Sequence, residues 1–404
     1  MGVAGQRGGR LGEVRSFIGE LYGPDLHAKR IDALAGAALG VMAAASLAVA
    51  MIGQALAQAR GLVTKHAVKQ VDRLLSNNGI DVWDSFARWV PHQLNGRKDA
   101  LVVMDWTDFD HDGQSTLVLS LVTGHGRAAP LLWLTVWKEE IATRRNDYED
   151  ACLRRLAELV PSECRVTILA DRGFGDQKLF AFLGELGFGY VIRFRGNIHV
   201  TSEDGETKPA AEWVCKGGRA RKLRYARVTA KGQQVGAVVC VHAKGMKEPW
   251  CLAASDPEPT AAVLVNHYAK RWTIEPAFRD TKDLRFGMGG TGKGFAGVSR
   301  WKASGGLSST RIGEPTRRDR LLLVSALATA LLTLLGAVGE SLGMDRLLKS
   351  NTSKTRTHSL FRQGCMLYEL IPNMPEHRLA PLMKKFTEAV LNAGLFSTEF
   401  AEAK

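Results

Sequence analysis

The chain is poor in cysteine, and none of its six cysteines falls in a metal-binding pattern. Cys152, Cys164, Cys215, Cys240, Cys251 and Cys365 never form Cys-x-x-Cys and never pair with histidine at ligand spacing. This excludes a zinc finger and argues for a reducing, intracellular compartment. No Gly-x-Ser-x-Gly elbow is present, and His92, His111, His125, His242 and His267 have no readable partner, so nothing supports a serine or cysteine nucleophile. The N-terminus has no apolar run directly after its charges, which argues against a secretory signal, and there is no internal repeat. What the chain does have is length, at 404 residues, with 45% apolar and 24% charged residues. That is ample for a packed core in two or three domains and excludes wholesale disorder. Lysine and arginine total 54 against 41 acids, a net charge of +13 that points to a polyanionic partner, nucleic acid or an acidic membrane surface.

Two stretches, 33–52 and 321–339, are uncharged and long enough for a membrane span. The first is mostly alanine and glycine and lacks an aromatic belt. The second contains Ser325, Thr329 and Thr333 and follows the charged run TRRDR. Both read as buried helices of a protein that does not enter the membrane.

Residues 1–100 read as mostly helical. The segment 62–75 is amphipathic, with Val63, Ala67, Val68, Val71, Leu74 and Leu75 on one face. Lys65, Lys69 and Arg73 recur every four residues on another, a stripe that can follow a phosphate backbone or be an ordinary solvated face. From residue 101 the texture changes to strand-like runs: LVVMDW, STLVLSLV, PLLWLTVW, VTILAD and FGYVIRF, with helix patterns at 148–160 and 176–187. Three consecutive strands followed by alternating helices predict an α/β fold with a mixed sheet. Residues 196–262 are β-rich and punctuated by glycine, and helix returns over 261–282. Residues 287–310 form a Gly/Ser-rich loop, an apolar helix follows, and 345–404 is a basic, partly helical tail.

Asp105 and Asp171 each close an apolar run, and a third acid, Glu275, lies in HYAKRWTIEPAFRDTK. Strand-end acids can converge, which is unfavourable unless cations hold them, and three carboxylates suit hard cations such as magnesium. Either aspartate alone is equally an ordinary turn former. Tyr268, Arg271, Glu275 and Lys282 fall within about a 60° arc of one helical face at about 100° per residue. Phenol, guanidinium, carboxylate and ammonium on one face are poor core material and suit a metal-bound phosphodiester. Pro276 predicts a kink or restart in that helix.

With both aspartates (VVMDWT and ILADRGF), the Tyr-x2-Arg-x3-Glu-x6-Lys signature resembles the DDE transposases, and within them the insertion-sequence-four family that moves bacterial DNA by cut and paste. The resemblance spans residues 30–370. It implies a ribonuclease H-like core split into 101–195 and 263–344 by a β-rich insertion at 196–262. It also implies a helical DNA-binding domain over 1–100 and a C-terminal helical tail over 345–404 that dimerises. By the resemblance, Asp105, Asp171 and Glu275 bind two Mg2+ ions, with Mn2+ as a substitute. Tyr268, Arg271 and Lys282 position phosphate and DNA, while Trp250 stacks on a base flipped out during hairpin formation or packs in a β core. Lys65, Lys69 and Arg73 become contacts to the terminal inverted repeats. The implied partners are double-stranded DNA, both transposon ends and target, and a second copy of the chain in a synaptic homodimer. Neither a membrane nor a nucleotide cofactor is expected, and the implied location is the bacterial cytoplasm at the nucleoid.

The sequence departs from that family at about 290–305, where extra Gly/Ser/Lys/Trp-rich sequence follows the signature lysine. Lys293 and Lys302 there are either DNA contacts or part of a loop without fixed structure. Gly287-x4-Gly292-Lys293 has phosphate-loop spacing, but Gly294 replaces the required hydroxyl and no strand precedes it, so it reads as a decoy. Two alternatives stay open: a nuclease that cleaves without joining, and an inactive DNA-binding relic.

Overall fold

The computed structural model describes residues 3–229, 232–283, 285–286 and 311–391, with backbone alone for 3–10. Residues 287–310, including Gly287, Gly292, Lys293 and Lys302, lie outside the described set, as does the end of the tail. Five helices come first: α1 (Val3–Tyr22), α2 (Ala28–Ala44), α3 (Val49–Arg60), α4 (Thr64–Leu75) and α5 (Val82–Leu94). The uncharged run 33–52 is not one helix. Ala45 takes a left-handed conformation (φ 46°), and α2 and α3 meet at 98°. In α4 the expected apolar face buries Ala67, Val71, Leu74 and Leu75, but Val63 caps the helix and is 64% exposed. Asp81 starts α5 by accepting the Trp83 and Asp84 amides, satisfying donors that the first turn leaves open.

The sheet elements follow as β1 (Asp99–Phe109), β2 (Gln114–Leu121), β3 (Ala129–Trp137), α6 (Ile141–Leu159), β4 (Arg165–Ala170), α7 (Gln177–Glu185) and β5 (Gly189–Phe194). Next come β6 (His199–Thr201), β7 (Thr207–Pro209), β8 (Arg221–Arg224), β9 (Arg227–Val228), β10 (Gln233–Gln234), β11 (Ala237–Val241) and β12 (Trp250–Ala254). The main sheet has the order β3-β2-β1-β4-β5-β12-β11-β8. β1, β4 and β5 pair in parallel and the other neighbours are antiparallel, so the sheet is mixed. The β-rich stretch 196–262 is not a separate layer. Its β8, β11 and β12 prolong the main sheet, while β6, β7, β9 and β10 form a small second one.

The remaining helices are α8 (Ala261–Ala269), α9 (Ile274–Lys282), α10 (Pro315–Ser341), α11 (Leu360–Leu370) and α12 (Glu376–Leu391). Strand alternation directs Val103 and Asp105 to the face covered by α8 and α9, and Trp106 to the opposite face, where α6 packs. α10 has the length and apolarity of a membrane span, yet most of it is buried inside the protein. The charges at its start explain this. Arg317 pairs with Asp72, and Arg318 is fully buried against Asp112, the Gln114 side chain (2.6 Å) and the Phe109 ring (3.9 Å). Asp319 accepts the Thr135 amide at 3.1 Å, and Arg320 donates to the carbonyls of Ile80 and Leu75 and to Asn78. The TRRDR run is therefore a bolt joining the N-terminal helices to β1, β2 and β3, each of its buried charges held by a specific partner although Arg318 Nη1 has none among the described residues.

α10 and α11 cross closely because Gly336 and Gly364 face each other, and a Cβ on Gly364 would overlap the Leu332 carbonyl. Gly364→Ala should cost about 1–3 kcal/mol of stability by forcing the helices apart, measurable by urea denaturation. Burial also pushes the Asp319 carboxyl up to about 7, against the Thr135 hydrogen bonds and the Arg318 and Arg320 charges that favour ionisation. Its ordinary value is 3.8, so the folded protein binds the extra proton between the two values. The Asp319 contribution to stability is full below the lower value and declines as pH rises through the higher one. Asp319→Asn should flatten the stability profile in that window when denaturation midpoints are compared from acid to neutral pH.

Candidate active site

β1 and β4 run in parallel from Asp99 beside Arg165 to Met104 beside Ala170. Asp105 and Asp171 are the next residues on the two chains, so both carboxylates emerge where the parallel ladder stops. Asp105 nonetheless does not end its strand, contrary to the sequence reading. β1 continues to Phe109 because antiparallel pairing with β2 persists from Asp105 opposite Val118 to Phe109 opposite Gln114. Asp171 does follow the last residue of β4, and it caps the 3-10 turn Arg172–Phe174, its Oδ1 accepting the Gly173 amide at 2.7 Å. The Asp105 Oδ1 accepts the Trp106 amide at 2.9 Å. Local backbone amides thus orient both side chains.

The third acid arrives on a broken helix. Tyr268 ends α8, Arg271 lies in a 3-10 turn at Lys270–Thr273, and Glu275 and Lys282 belong to α9. The restart precedes Pro276 and leaves the proline in the first turn of α9, where its missing amide hydrogen costs nothing. One continuous helical face is therefore not what brings the four signature side chains into register.

Arg271 is the centre of the group. Its side chain is 9% exposed, with Nη1 3.1 Å from Asp105 Oδ2 and Nη2 3.7 Å from Glu275 Oε1. Its Nε is buried without a hydrogen-bond partner among the described residues. Burial pushes the Asp105 carboxyl up to about 6, the Arg271 charge works against that rise, and the negative fields of Asp171 and Glu275 add to it. Asp105 therefore feels both other acids, although the three lie far apart in sequence. Tyr268 is buried, its phenol pKa raised by desolvation, and its ring meets Trp250 edge to face at 4.9 Å. Trp250 opens β12 opposite Val241 and is half-buried, packed against the cluster that contains Tyr268. Lys282 reaches the far end of β1, where its ammonium donates to the Asp108 carbonyl at 2.8 Å and lies 5.0 Å from the Phe109 ring. Burial lowers its pKa. Lys65, Lys69 and Arg73 are exposed on α4, in the helical layer rather than around Arg271.

Several nearby residues were not singled out from sequence. Trp272 is 49% exposed beside the Arg271 guanidinium, 5.2 Å from its ring. Its place directly after the signature arginine was the available signal. Glu248 is held by Arg193 at 2.8 Å and Arg172 at 3.0 Å, tying the β11–β12 loop to the turn after Asp171. No sequence pattern announces that pair, because it joins three distant segments.

Among the described residues no three acidic, histidine or cysteine side chains are gathered at metal-binding distances. The donor set is nevertheless suited to a hard divalent cation: three carboxylates against one guanidinium, with like charges already raising Asp105.

A large mixed sheet whose parallel edge presents paired aspartates, with a glutamate on a covering helix, is compatible with the ribonuclease H-like core of a DDE transposase. Residues 97–290 match the family model described as "Transposase DDE domain", a span that contains both aspartates, the glutamate and the signature lysine. The match supports a DDE transposase, and such a domain implies a metal-dependent nuclease or transposase with DNA as substrate. No curated protein matches the chain significantly.

Replacing Arg271 by glutamine should raise the Asp105 carboxyl pKa above its value in the native protein, because burial and two like charges would then be opposed chiefly by the Trp106 amide. Carboxyl-carbon NMR titration of labelled aspartate reads the shift, and no upward change would refute the assigned role of the guanidinium.

Proposed function

We propose that the chain is a cut-and-paste transposase of the insertion-sequence-four type, acting on the inverted repeats at the ends of a mobile DNA element. The observation that supports this reading is that Arg271 pairs with Asp105 and Glu275, and Asp171 lies near enough to raise the Asp105 carboxyl, inside the segment matched to a transposase DDE domain. Asp105, Asp171 and Glu275 would hold two Mg2+ ions, or Mn2+ in their place. When bound, such ions activate water and stabilise charge on the oxygens of a phosphodiester. Arg271 offsets the repulsion between the acids, and the Trp106 and Gly173 amides keep one oxygen of each aspartate turned inward. Tyr268 and Lys282 supply a phenol and an ammonium for phosphate oxygens. Trp250, held at its edge by Tyr268, offers a platform for an extruded base. Extrusion costs a few kcal/mol, and stacking returns roughly 1–3 kcal/mol.

The order of events in this reading is the one that the resemblance to the insertion-sequence-four family implies. A nick at each transposon end frees a 3′-hydroxyl, which attacks the opposite strand to form a hairpin. Hairpin opening and strand transfer reuse the same acids. The exposed stripe of Lys65, Lys69 and Arg73 on α4 contacts the inverted repeats through phosphates, so binding should weaken steeply with salt. A synaptic homodimer with dimer contacts in 345–404, and action at the bacterial nucleoid, complete the reading.

Incubating the protein with paired end substrates and Mg2+ or Mn2+ should give nicked, hairpin and joined products on denaturing gels. Asp171→Asn should lower cleavage by roughly 10³-fold or more while leaving DNA binding in place. Cleavage without hairpin or joined product would identify a simple nuclease. Binding with no cleavage by the native protein would identify an inactive relic.

A further inference from the structure

We propose that Arg145 and Glu149, on α6 behind the sheet, position the two aspartate-bearing segments against each other and so set how tightly the acids hold a divalent cation. The inference rests on Asp105, Asp171 and Glu275 being the cation-binding acids. Neither α6 residue is part of the transposase signature.

The geometry is specific. Strand alternation turns Trp106 away from Asp105, through the sheet, where its indole Nε1 donates to Glu149 Oε1 at 2.8 Å. The Arg145 Nε donates to the same oxygen at 2.7 Å. The Arg145 guanidinium then lies over the Phe174 ring, 5.0 Å from its centroid, in the turn that Asp171 caps. A single pair on one helix therefore grips the residue after the first aspartate and the turn following the second. Gly173, whose amide orients Asp171, lies against the same guanidinium, and a Cβ there would come to 3.6 Å from it.

Burial of the glutamate, beside a partly exposed arginine, makes the grip directional. The Glu149 side chain is 8% exposed, so its carboxylate depends on these two donors. Loss of either leaves an underpartnered buried group, which costs more than the hydrogen bond itself contributes. Phe174 is buried at its end of the network and cannot follow a displaced arginine without repacking. A displacement of α6 would thus be transmitted to both aspartate-bearing segments. Arg145 and Glu149 touch neither DNA nor cation in this arrangement; they are positioning residues.

The test uses the full chain without DNA, titrated with Mn2+ while free Mn2+ is counted by electron paramagnetic resonance. Glu149→Gln keeps an acceptor for Trp106 but discards the charge that holds Arg145, and Arg145→Met discards the other partner. Each should weaken Mn2+ binding roughly 10-fold and raise the Mn2+ concentration for half-maximal cleavage by a similar factor. DNA affinity by gel shift should stay near that of the native protein, while the melting temperature should fall because a buried group loses a partner. Trp106→Phe, which removes only the indole donor, should act in the same direction, and it carries the test if either α6 variant fails to fold. Native-like Mn2+ binding in the folded variants, or a loss of DNA affinity as large as the loss of Mn2+ affinity, would overturn the proposal. A native protein that binds Mn2+ beside unaffected variants sinks this inference alone. A native protein that binds none sinks it together with the cation-site reading.

Discussion

Carboxylates gathered at the edge of a sheet repel one another, and the low polarity behind them strengthens that repulsion. Arg271 is the group that makes the gathering tolerable here. Its guanidinium is almost wholly buried between Asp105 and Glu275, and Asp105 remains hard to ionise even so. Much of the surrounding structure serves this constraint. The 3-10 turn at Lys270–Thr273 turns the arginine inward, Tyr268 and Trp250 close one side, and β1 and β4 bring their aspartates to the same level.

The second requirement is that this edge be held rigidly against the helices around it. The bolt formed by Arg317, Arg318, Asp319 and Arg320 joins α10 to the α4–α5 turn and to β1, β2 and β3 in one step. That arrangement accounts physically for a long apolar helix that is mostly buried, as its charged flank suggested. Each of these four charged side chains finds a partner inside the protein. Gly336 and Gly364 let α11 approach closely enough to cover the other side of α10.

Much of the architecture was legible because its signals are local. The mixed sheet follows from three strand-like runs without a helix between them, then strands alternating with helices. The apolar face of α4 follows from period, and its error at Val63 from carrying the period one residue beyond the start of the helix. The position of Asp105 was read less well, since an apolar run that closes in an acid looks finished. Only the ladder with β2 carries the strand on to Phe109. The stretch 196–262 was correctly read as β-rich, but strand pairing across to β5 was invisible, and that pairing makes β8, β11 and β12 part of the main sheet.

From sequence alone came the acids, the arginine, the tyrosine and the lysine as a set, because their types and spacing are linear properties of the chain. Their arrangement was decided by tertiary structure. The helical face that seemed to unite Tyr268, Arg271, Glu275 and Lys282 is interrupted, and Lys282 reaches Asp108 rather than ranging itself beside Arg271 on one continuous face. Glu149 with Trp106 and Arg145, and Glu248 with Arg172 and Arg193, join segments remote in the chain. Periodicity carries no trace of such pairs: a contact between distant residues exists only once packing has brought their segments together, and its strength depends on the burial that packing creates.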